Sequence, residues 1–316
     1  MRVLLLGAGF SRNWGGWLAS EVMGELCGRL ADDAYLLQLF RKTLNFEEVY
    51  GHVRQEAACG SEAGERLKRL DNAIRSIFQE MNTVFSTGIQ FEFGSNYERS
   101  IQRYFSFFDA IFTLNQDLLL EFNYYPGGML ESEKRWTGYS FPGVPLPENW
   151  GSLNASDRLA TTLDVSTHHE LLEHAQPIFK LHGSVNWKNA DGSAPLVIGT
   201  GKELAIQRIP LLAWYQVKFR EFLFAGDTRI MVIGYSFSDD YLNDVLMDAA
   251  TKQGLKMYVV NPAGLDALNC QPAAMVKNHK LRDAIPLVGM STRLLRETFR
   301  TDDLSFKSFQ RFLTNG

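Results

Sequence analysis

The stretch RVLLLGAGFS, residues 2 to 11, places a short apolar run directly before a glycine-rich turn. The continuous run from 3 to 6 is typical of a strand buried on both faces of a parallel sheet. In the turn, Gly7 and Gly9 would let the backbone approach a pyrophosphate, and a following helix would direct its N-terminal N–H groups to it. Arg12 takes the place of the third glycine in the dinucleotide-binding fingerprint. The motif therefore indicates a phosphate-binding turn or an ordinary tight connection.

Strand-like segments recur along the rest of the chain and alternate with helical ones. They cover residues 109–113, 178–181, 196–198, 229–233 and 255–260. Strands that alternate with helices are typical of a parallel sheet with helices on both faces. The sequence therefore predicts an α/β fold with a Rossmann-like, doubly wound parallel sheet and a helical insertion.

The 316 residues allow about two domains or one large α/β unit, and we interpret residues 1–316 as a single domain. The segment from about 31 to 108 is predicted to be the helical insertion. A segment from about 125 to 176, rich in Gly, Pro and Trp at first and then polar, is expected to be irregular. The tail from about 263 to 316 is predicted to be helical. Within the insertion, helices are predicted to begin at Asn45, Ser61 and Ser95.

Composition excludes several classes of protein. Apolar residues make up 45% and charged residues 22%, which is typical of a globular protein. A net charge of −4 argues against a dedicated duplex-binding protein. Cys27, Cys59 and Cys270 contain no CxxC pair, so we expect no metal site. No run approaches the roughly 18 apolar residues of a membrane span, and we expect a cytoplasmic protein.

Polar side chains follow several predicted strands. Asn115 and Asp117 come after one strand and His182 after the next, and the carboxyl ends of parallel strands share one edge of a sheet. Asn offers a donor and an acceptor, Asp an acceptor or base, and His titrates near neutrality. Taken singly, Asn115 and Asp117 also suit helix capping, and a lone His is usually a satisfied polar residue.

Together these strand ends resemble the sirtuin, or SIR2, family. The turn at 7–11 resembles the family's Gly-Ala-Gly-x-Ser, and 113–117 keeps Thr, Asn and Asp of its Thr-Gln-Asn-Ile-Asp. His182-Gly183 resembles its His-Gly pair. The segment 234–236 matches its Gly-Thr/Tyr-Ser, and Asn261 matches its Ile-Asn. The resemblance therefore extends over the whole predicted core.

The resemblance implies a role for each matched residue, with NAD+ as the bound molecule. The NAD+ phosphates would be contacted by Gly7, Ala8, Gly9 and Ser11. The nicotinamide ribose and the attacking group would be held by Asn115 and Asp117, with Thr113 also assigned to NAD+ binding. His182 would act as catalytic base, and the adenosine half would be lined by Gly234, Ser236 and Asn261.

Two departures bear on the activity. Sirtuin deacylases carry a four-Cys zinc module, which the three cysteines of this chain cannot form. They also have Pro-Asp-Phe-Arg after the glycine turn, where this chain has Trp-Gly-Gly-Trp at 14–17. The Phe-Ser variant of the turn and the insertion resemble bacterial sirtuin-like NAD+ hydrolases of anti-phage defence. These release nicotinamide and ADP-ribose and deplete NAD+ in abortive infection. The alternatives are an NAD-dependent protein deacylase, or a catalytically silent subunit that senses NAD+ or ADP-ribose.

The same resemblance implies how the chain would be regulated. We expect a homo-oligomer and a separate operon-encoded sensor, such as an ATPase or helicase of the HerA type. We expect no direct nucleic-acid binding and no membrane partner.

Overall fold

The computed structural model describes residues 1–43, 45–57, 60–125, 136–269 and 279–314. The strands are β1 (Arg2–Leu6), β2 (Ala110–Thr113), β3 (Gly138–Ser140), β4 (Leu163–Asp164), β5 (Ala175–Lys180), β6 (Trp187–Lys188), β7 (Arg229–Ile233), β8 (Lys256–Val260) and β9 (Leu287–Ser291). The helices before β5 are α1 (Ala8–Ser11), α2 (Ala19–Arg29), α3 (Ala34–Lys42), α4 (Phe46–Ala57), α5 (Ser61–Thr87), α6 (Ile101–Phe105), α7 (Leu119–Asn123) and α8 (Ala155–Ala160). Those after β5 are α9 (Lys202–Gln207), α10 (Pro210–Leu223), α11 (Asp240–Gln253), α12 (His279–Ala284), α13 (Leu295–Arg300) and α14 (Asp303–Thr314).

Seven strands form one parallel sheet in the order β3-β5-β2-β1-β7-β8-β9. β1 lies at its centre, where Leu6 pairs with Thr113 on one side and Ile233 on the other. The chain builds β2 and β5 outward from β1, then crosses to β7 on the other side. In such sheets, the crevice at this change of direction is where ligands bind. The predicted Rossmann-like, doubly wound α/β fold is confirmed.

The strand predictions hold for β2, β5, β7 and β8, each within a few residues of its observed bounds. The strand predicted at 196–198 is wrong, because Leu196 makes only an isolated bridge to Gly183. β9 lies in the tail from 263 to 316, which is therefore not purely helical. β9 is an edge strand on which Val288 and Met290 are exposed, and Gly289 interrupts its apolar residues, so it lacks the continuous apolar run of the inner strands.

The segment from 31 to 108 contains α3, α4, α5 and α6 and, within the described residues, no strand. Leu70, Ile74 and Ile77 form a buried stripe on α5 that packs with apolar residues of α2, α3 and α4 in a second core. Helices α4 and α5 begin where the sequence predicts them. The third predicted start, Ser95, is wrong: α6 begins after Ser100, whose hydroxyl accepts the N–H of Arg103.

The segment from 125 to 176 is only partly irregular. It holds β3, α8 and β4, and its residues 126–135 lie outside the described ranges. β3 extends the main sheet beside β5, while β4 pairs with β6 in a separate two-stranded ribbon. None of the described helices combines the length and apolar character needed to span a membrane.

Candidate functional site

The ends of β5, β2, β1, β7 and β8 form one continuous edge of the sheet. Neighbouring strands lie about 4.8 Å apart, so five adjacent strand ends extend over about 19 Å. Along this edge stand, in order, His182, then Asn115 with Asp117, then 7–11, then 234–236, then Asn261. The fold therefore brings the sequence-predicted residues into one row, long enough for an extended dinucleotide.

At the centre of the row, the turn after β1 packs directly on the turn after β7. The N–H of Gly7 donates to the Ile233 carbonyl and that of Gly9 to the Gly234 carbonyl, each over 2.9 Å. A Cβ on Gly234 would lie 2.6 Å from the Cα of Gly9, and Gly234 has a φ of +66°. The glycines are thus needed for backbone packing, and the amide hydrogens of Gly7 and Gly9 are engaged within the protein.

The side chain of Asn115 is oriented by the turn after β1. Its Nδ2 donates to the Gly7 carbonyl over 3.0 Å and to the Ser11 hydroxyl over 2.9 Å. A carbonyl can only accept, so it fixes which end of the amide is the nitrogen. Both N–H donors are then used, and Oδ1 is the part of the amide that can accept a hydrogen bond from a ligand or water.

Asp117 lies behind Asn115 and is buried. Its Oδ2 accepts the Ser11 hydroxyl over 2.8 Å, and its Oδ1 accepts the Leu119 N–H over 3.1 Å. Burial raises the pKa of the Asp117 carboxyl, against the lowering effect of Lys180 and of these hydrogen bonds. Both oxygens serve the protein, so here Asp117 holds Ser11 and the start of α7. Thr113, also buried, accepts the N–H of Asn115 at its hydroxyl.

His182 lies at the end of β5, with its Nε2 2.6 Å from the hydroxyl oxygen of Tyr241. Burial and then the charge of Lys202 lower the pKa of the imidazole to about 4, although Asp239 and a hydrogen bond with the Leu114 backbone raise it. His182 is therefore neutral at pH 7. The hydrogen bond to the Leu114 backbone raises the pKa, so the ring is its donor, and in the neutral imidazole the other nitrogen, Nε2, is left to accept from the Tyr241 hydroxyl. A general base needs such an acceptor atom.

Two charged groups, Asp239 and Lys202, act on this imidazole, and a third, Glu47, pairs with Lys202; sequence reasoning missed all three. Asp239 Oδ2 is 4.0 Å from His182 Nε2, and Asp239 Oδ1 is 3.0 Å from Lys202 Nζ. Lys202 also pairs with Glu47 of the helical insertion, over 2.9 Å. None of these residues belongs to a recognisable motif. The one local signal is the acidic pair 239–240 ahead of a helix, a pattern that is more often a cap.

At the opposite end of the row, Asn261 ties the loop after β8 to the loop after β7. Its Nδ2 donates to the Tyr235 carbonyl over 3.0 Å, and its Oδ1 accepts the Ala263 N–H. Ser236 is exposed, and its hydroxyl lies 2.9 Å from that of Ser238. Phe237, in the same loop, is a non-glycine residue with a φ of +55°. Such backbone strain is concentrated at functional sites.

The described residues contain no cluster of three or more His, Cys, Asp or Glu side chains that could hold a metal ion. Cys27 is a free thiol, and Cys59 and Cys270 lie outside the described residues. The expectation that the chain holds no metal site stays a prediction.

The fold and this edge define a Rossmann-like α/β protein, a class in which ligands bind at the carboxyl ends of the strands. A comparison with protein-family models matches the SIR2-like domain over residues 109–281, more than half of the chain. The match covers Asn115, Asp117, His182 and the loops after β7 and β8. The chain therefore belongs to the SIR2-like family, whose domains use NAD+ and whose members are in general NAD-dependent enzymes. A search of the curated proteins finds no match.

Proposed function

We propose that the chain is an NAD+ glycohydrolase that cleaves the nicotinamide–ribose bond, and that it serves anti-phage defence by depleting NAD+. The observation that carries the proposal is that Asn115 and His182 follow two adjacent strands, β2 and β5, at the same edge of the sheet. Each is oriented by the protein, and each presents an acceptor atom, Oδ1 of Asn115 and Nε2 of His182. Two acceptors suit the positioning of a water molecule as a nucleophile.

The reaction needs little else from the protein. The N-glycosidic bond breaks with its electron pair leaving on the pyridinium nitrogen, so nicotinamide departs neutral and needs no general acid. The ribose carbon becomes oxocarbenium-like, as in glycoside hydrolysis. Water adds to that carbon, and its proton passes to His182 Nε2 and then to solvent. A positioned base of this kind contributes about a hundred- to ten-thousandfold in rate.

His182 suits this step although it is a weak base. An oxocarbenium-like carbon reacts with a weakly activated nucleophile, so geometry matters more than basicity. Because the imidazole is neutral at pH 7, no proton must leave it before water can bind. The hydrogen bond between the ring and the Leu114 backbone, which raises the pKa of the imidazole, would stabilise the imidazolium that forms.

A silent sensing subunit is the second candidate, and one observation favours it. The Nε2 of His182 is already bound to Tyr241, and the amide hydrogens of Gly7 and Gly9 are engaged internally. A protein held in this arrangement would bind a nucleotide at the strand edge without turning it over. Tight NAD+ binding with no nicotinamide release would support this candidate and reject the hydrolase.

The test is incubation of the purified chain with NAD+, with and without an acyl-lysine peptide, followed by chromatography of the products. A hydrolase releases nicotinamide and ADP-ribose in equal amounts without the peptide. If release required the peptide and gave an acylated ADP-ribose, the chain would be a deacylase instead.

An NAD+ hydrolase that is always active would deplete the NAD+ of its own cell, so its activity must be regulated. We propose a homo-oligomer with low basal activity that a separate partner activates, such as an ATPase or helicase of the HerA type. Keeping competent molecules rare lowers the apparent activity in proportion. Light scattering and NAD+ turnover measured over a range of protein concentrations test this. A strict monomer with full, concentration-independent activity would contradict it.

A further inference from the structure

The carboxylate of Asp239 lies between a cation and the imidazole of His182. Its Oδ1 is 3.0 Å from Lys202 Nζ, and its Oδ2 is 4.0 Å from His182 Nε2. The distances differ in a way that matters chemically: the first is a hydrogen-bonded ion pair, and the second is too long for a hydrogen bond. Asp239 is therefore committed to Lys202 and not to the imidazole.

Lys202 is held from a second direction by the helical insertion. Glu47 Oε2, on α4, is 2.9 Å from Lys202 Nζ. Helix α4 packs closely against the segment before α9, since any side chain at Gly51 would collide with Thr200. The ammonium group is mostly buried, with 12% of the side chain exposed, so solvent screens these contacts weakly.

The remaining groups around the imidazole do not replace Lys202. Tyr241, on α11, meets Nε2 with its hydroxyl, and the Leu114 backbone meets the ring after β2. The carboxylates that act on Tyr241 are Asp239, Glu47 and Glu203. Asp239 is thus the carboxylate closest to Nε2, and Lys202 is the cation that neutralises it. Burial favours the neutral amine, but Asp239 and then Glu47 raise the pKa of Lys202, so it is charged at pH 7.

We propose that Lys202 is a positioning residue for the proposed reaction: by binding the Asp239 carboxylate, it prevents an Asp239–His182 ion pair and keeps the imidazole a free base. Without the ammonium group, the carboxylate would turn its charge toward Nε2. A carboxylate within about 4 Å of an imidazole, with no cation to neutralise it, raises the pKa of the ring by about one to three units. Below that raised pKa, the proton would occupy the atom that must accept one from water.

The inference rests on the proposed function only for the role of His182, so its main test does not use NAD+. The imidazole resonances of His182 are assigned by their absence in His182→Asn, and their titration is followed by NMR. We expect a midpoint in Lys202→Met at least one pH unit above that of the wild type. Lys202→Arg keeps the cation and should stay near the wild-type midpoint. Lys218→Met, which removes an ion-paired lysine outside the crevice, is the matched control and should leave it unchanged.

The Asp239→Asn variant provides a second test that does not depend on the folding of the Lys202 variants. It removes the carboxylate while Glu47 still holds the lysine, so the His182 midpoint should fall below the wild-type value. In Lys202→Met/Asp239→Asn, the rise caused by Lys202→Met should disappear. A midpoint unchanged in Lys202→Met, or a rise in Asp239→Asn, would overturn the inference.

Activity then separates the two proposals. If the wild type cleaves NAD+, Lys202→Met should lose turnover at low pH and recover it as the pH rises above its new midpoint. If the His182 midpoint shifts as expected but the wild type cleaves no NAD+, the positioning role stands and the hydrolase assignment fails.

Discussion

The hydroxyl of Ser11 donates a hydrogen bond to Oδ2 of Asp117 over 2.8 Å, and the Ser11 hydroxyl oxygen accepts one from Nδ2 of Asn115 over 2.9 Å. Asp117 therefore acts on Asn115 indirectly, through Ser11. The Asp117 carboxylate orients the Ser11 hydroxyl, and that hydroxyl orients the Asn115 amide. Beneath this chain of hydrogen bonds, the buried Lys180 ammonium donates to the Asp117 carbonyl and to Glu121, each over 2.5 Å. The acceptor atom of Asn115 is thus fixed by a network that extends into the core.

The first prediction concerns that network. Ser11→Ala removes two hydrogen bonds of about 1 kcal/mol each, to Asp117 and from Asn115, and leaves the Asn115 amide held by Gly7 alone, so NAD+ turnover should fall about tenfold or more. Asp117→Ala should reduce turnover further, since it also leaves the Leu119 N–H without its acceptor. Steady-state rates at matched protein stability check both variants. Wild-type turnover in Ser11→Ala would show that the amide is held by Gly7 alone.

The second prediction concerns the packing of the two central turns. Gly234→Ala should destabilise the protein by about 3 kcal/mol, because the new Cβ overlaps the Gly9 backbone and the residue has a positive φ. The control is Gly24→Ala on an exposed part of α2, where a Cβ meets no atom within 4 Å. There, the higher helix propensity of Ala should stabilise the protein by up to about 1 kcal/mol. Denaturant unfolding of both variants gives the comparison, and equal stabilities would contradict the observed packing.

Much of the sheet could be predicted because its inner strands are continuous apolar runs, as in residues 3 to 6. The row of Asn115, His182 and Asn261 was equally accessible, since parallel strands place their carboxyl ends at one edge. β9 was missed because Gly289 and Ser291 interrupt its apolar run, which is too short to indicate a buried strand.

The surroundings of His182 were not predictable from the sequence, for a different reason. Tyr241 is 59 residues away along the chain, and Glu47 is contributed by the helical insertion. Contacts between distant segments leave no local pattern, so only the fold reveals them. The role of Asp117 was also not predictable. Its position after β2 predicts a side chain at the edge of the sheet, but the residue is buried and both its carboxylate oxygens accept hydrogen bonds from the protein.

The third prediction concerns pH and stability. His182 has a pKa of about 4 in the folded protein and near 6.5 when unfolded, so between these values the unfolded chain binds more protons. The contribution of His182 to stability should therefore be complete above about pH 6.5 and fall as the pH drops toward 4, by up to about 3 kcal/mol. The free energy of unfolding of the wild type minus that of His182→Asn, measured from pH 4 to 7, isolates this contribution. A difference independent of pH would mean that the imidazole titrates normally in the folded state.

The fourth prediction concerns the Tyr241 hydroxyl, which is hydrogen-bonded to Nε2 of His182. In Tyr241→Phe the Nε2 loses its donor, which should destabilise the substrate-free protein by about 1 to 3 kcal/mol. A water or substrate hydroxyl no longer competes with the phenol, so kcat/KM should rise several-fold. Thermal unfolding and initial rates measure the two effects. A fall in kcat with normal KM would instead assign the phenol a part in proton transfer.

The most direct test of the central claim is nicotinamide release from NAD+ by His182→Ala and Asn115→Ala, each compared with the wild type and with the remote Lys218→Met. His182 is buried and Asn115 binds Gly7 and Ser11, so the melting temperature of each variant is measured first, and rates are compared at temperatures where both proteins are folded. The account predicts that both variants lose NAD+ cleavage, by at least a hundredfold for the base His182, while Lys218→Met retains it. Turnover close to the wild-type rate in folded His182→Ala or Asn115→Ala would contradict it.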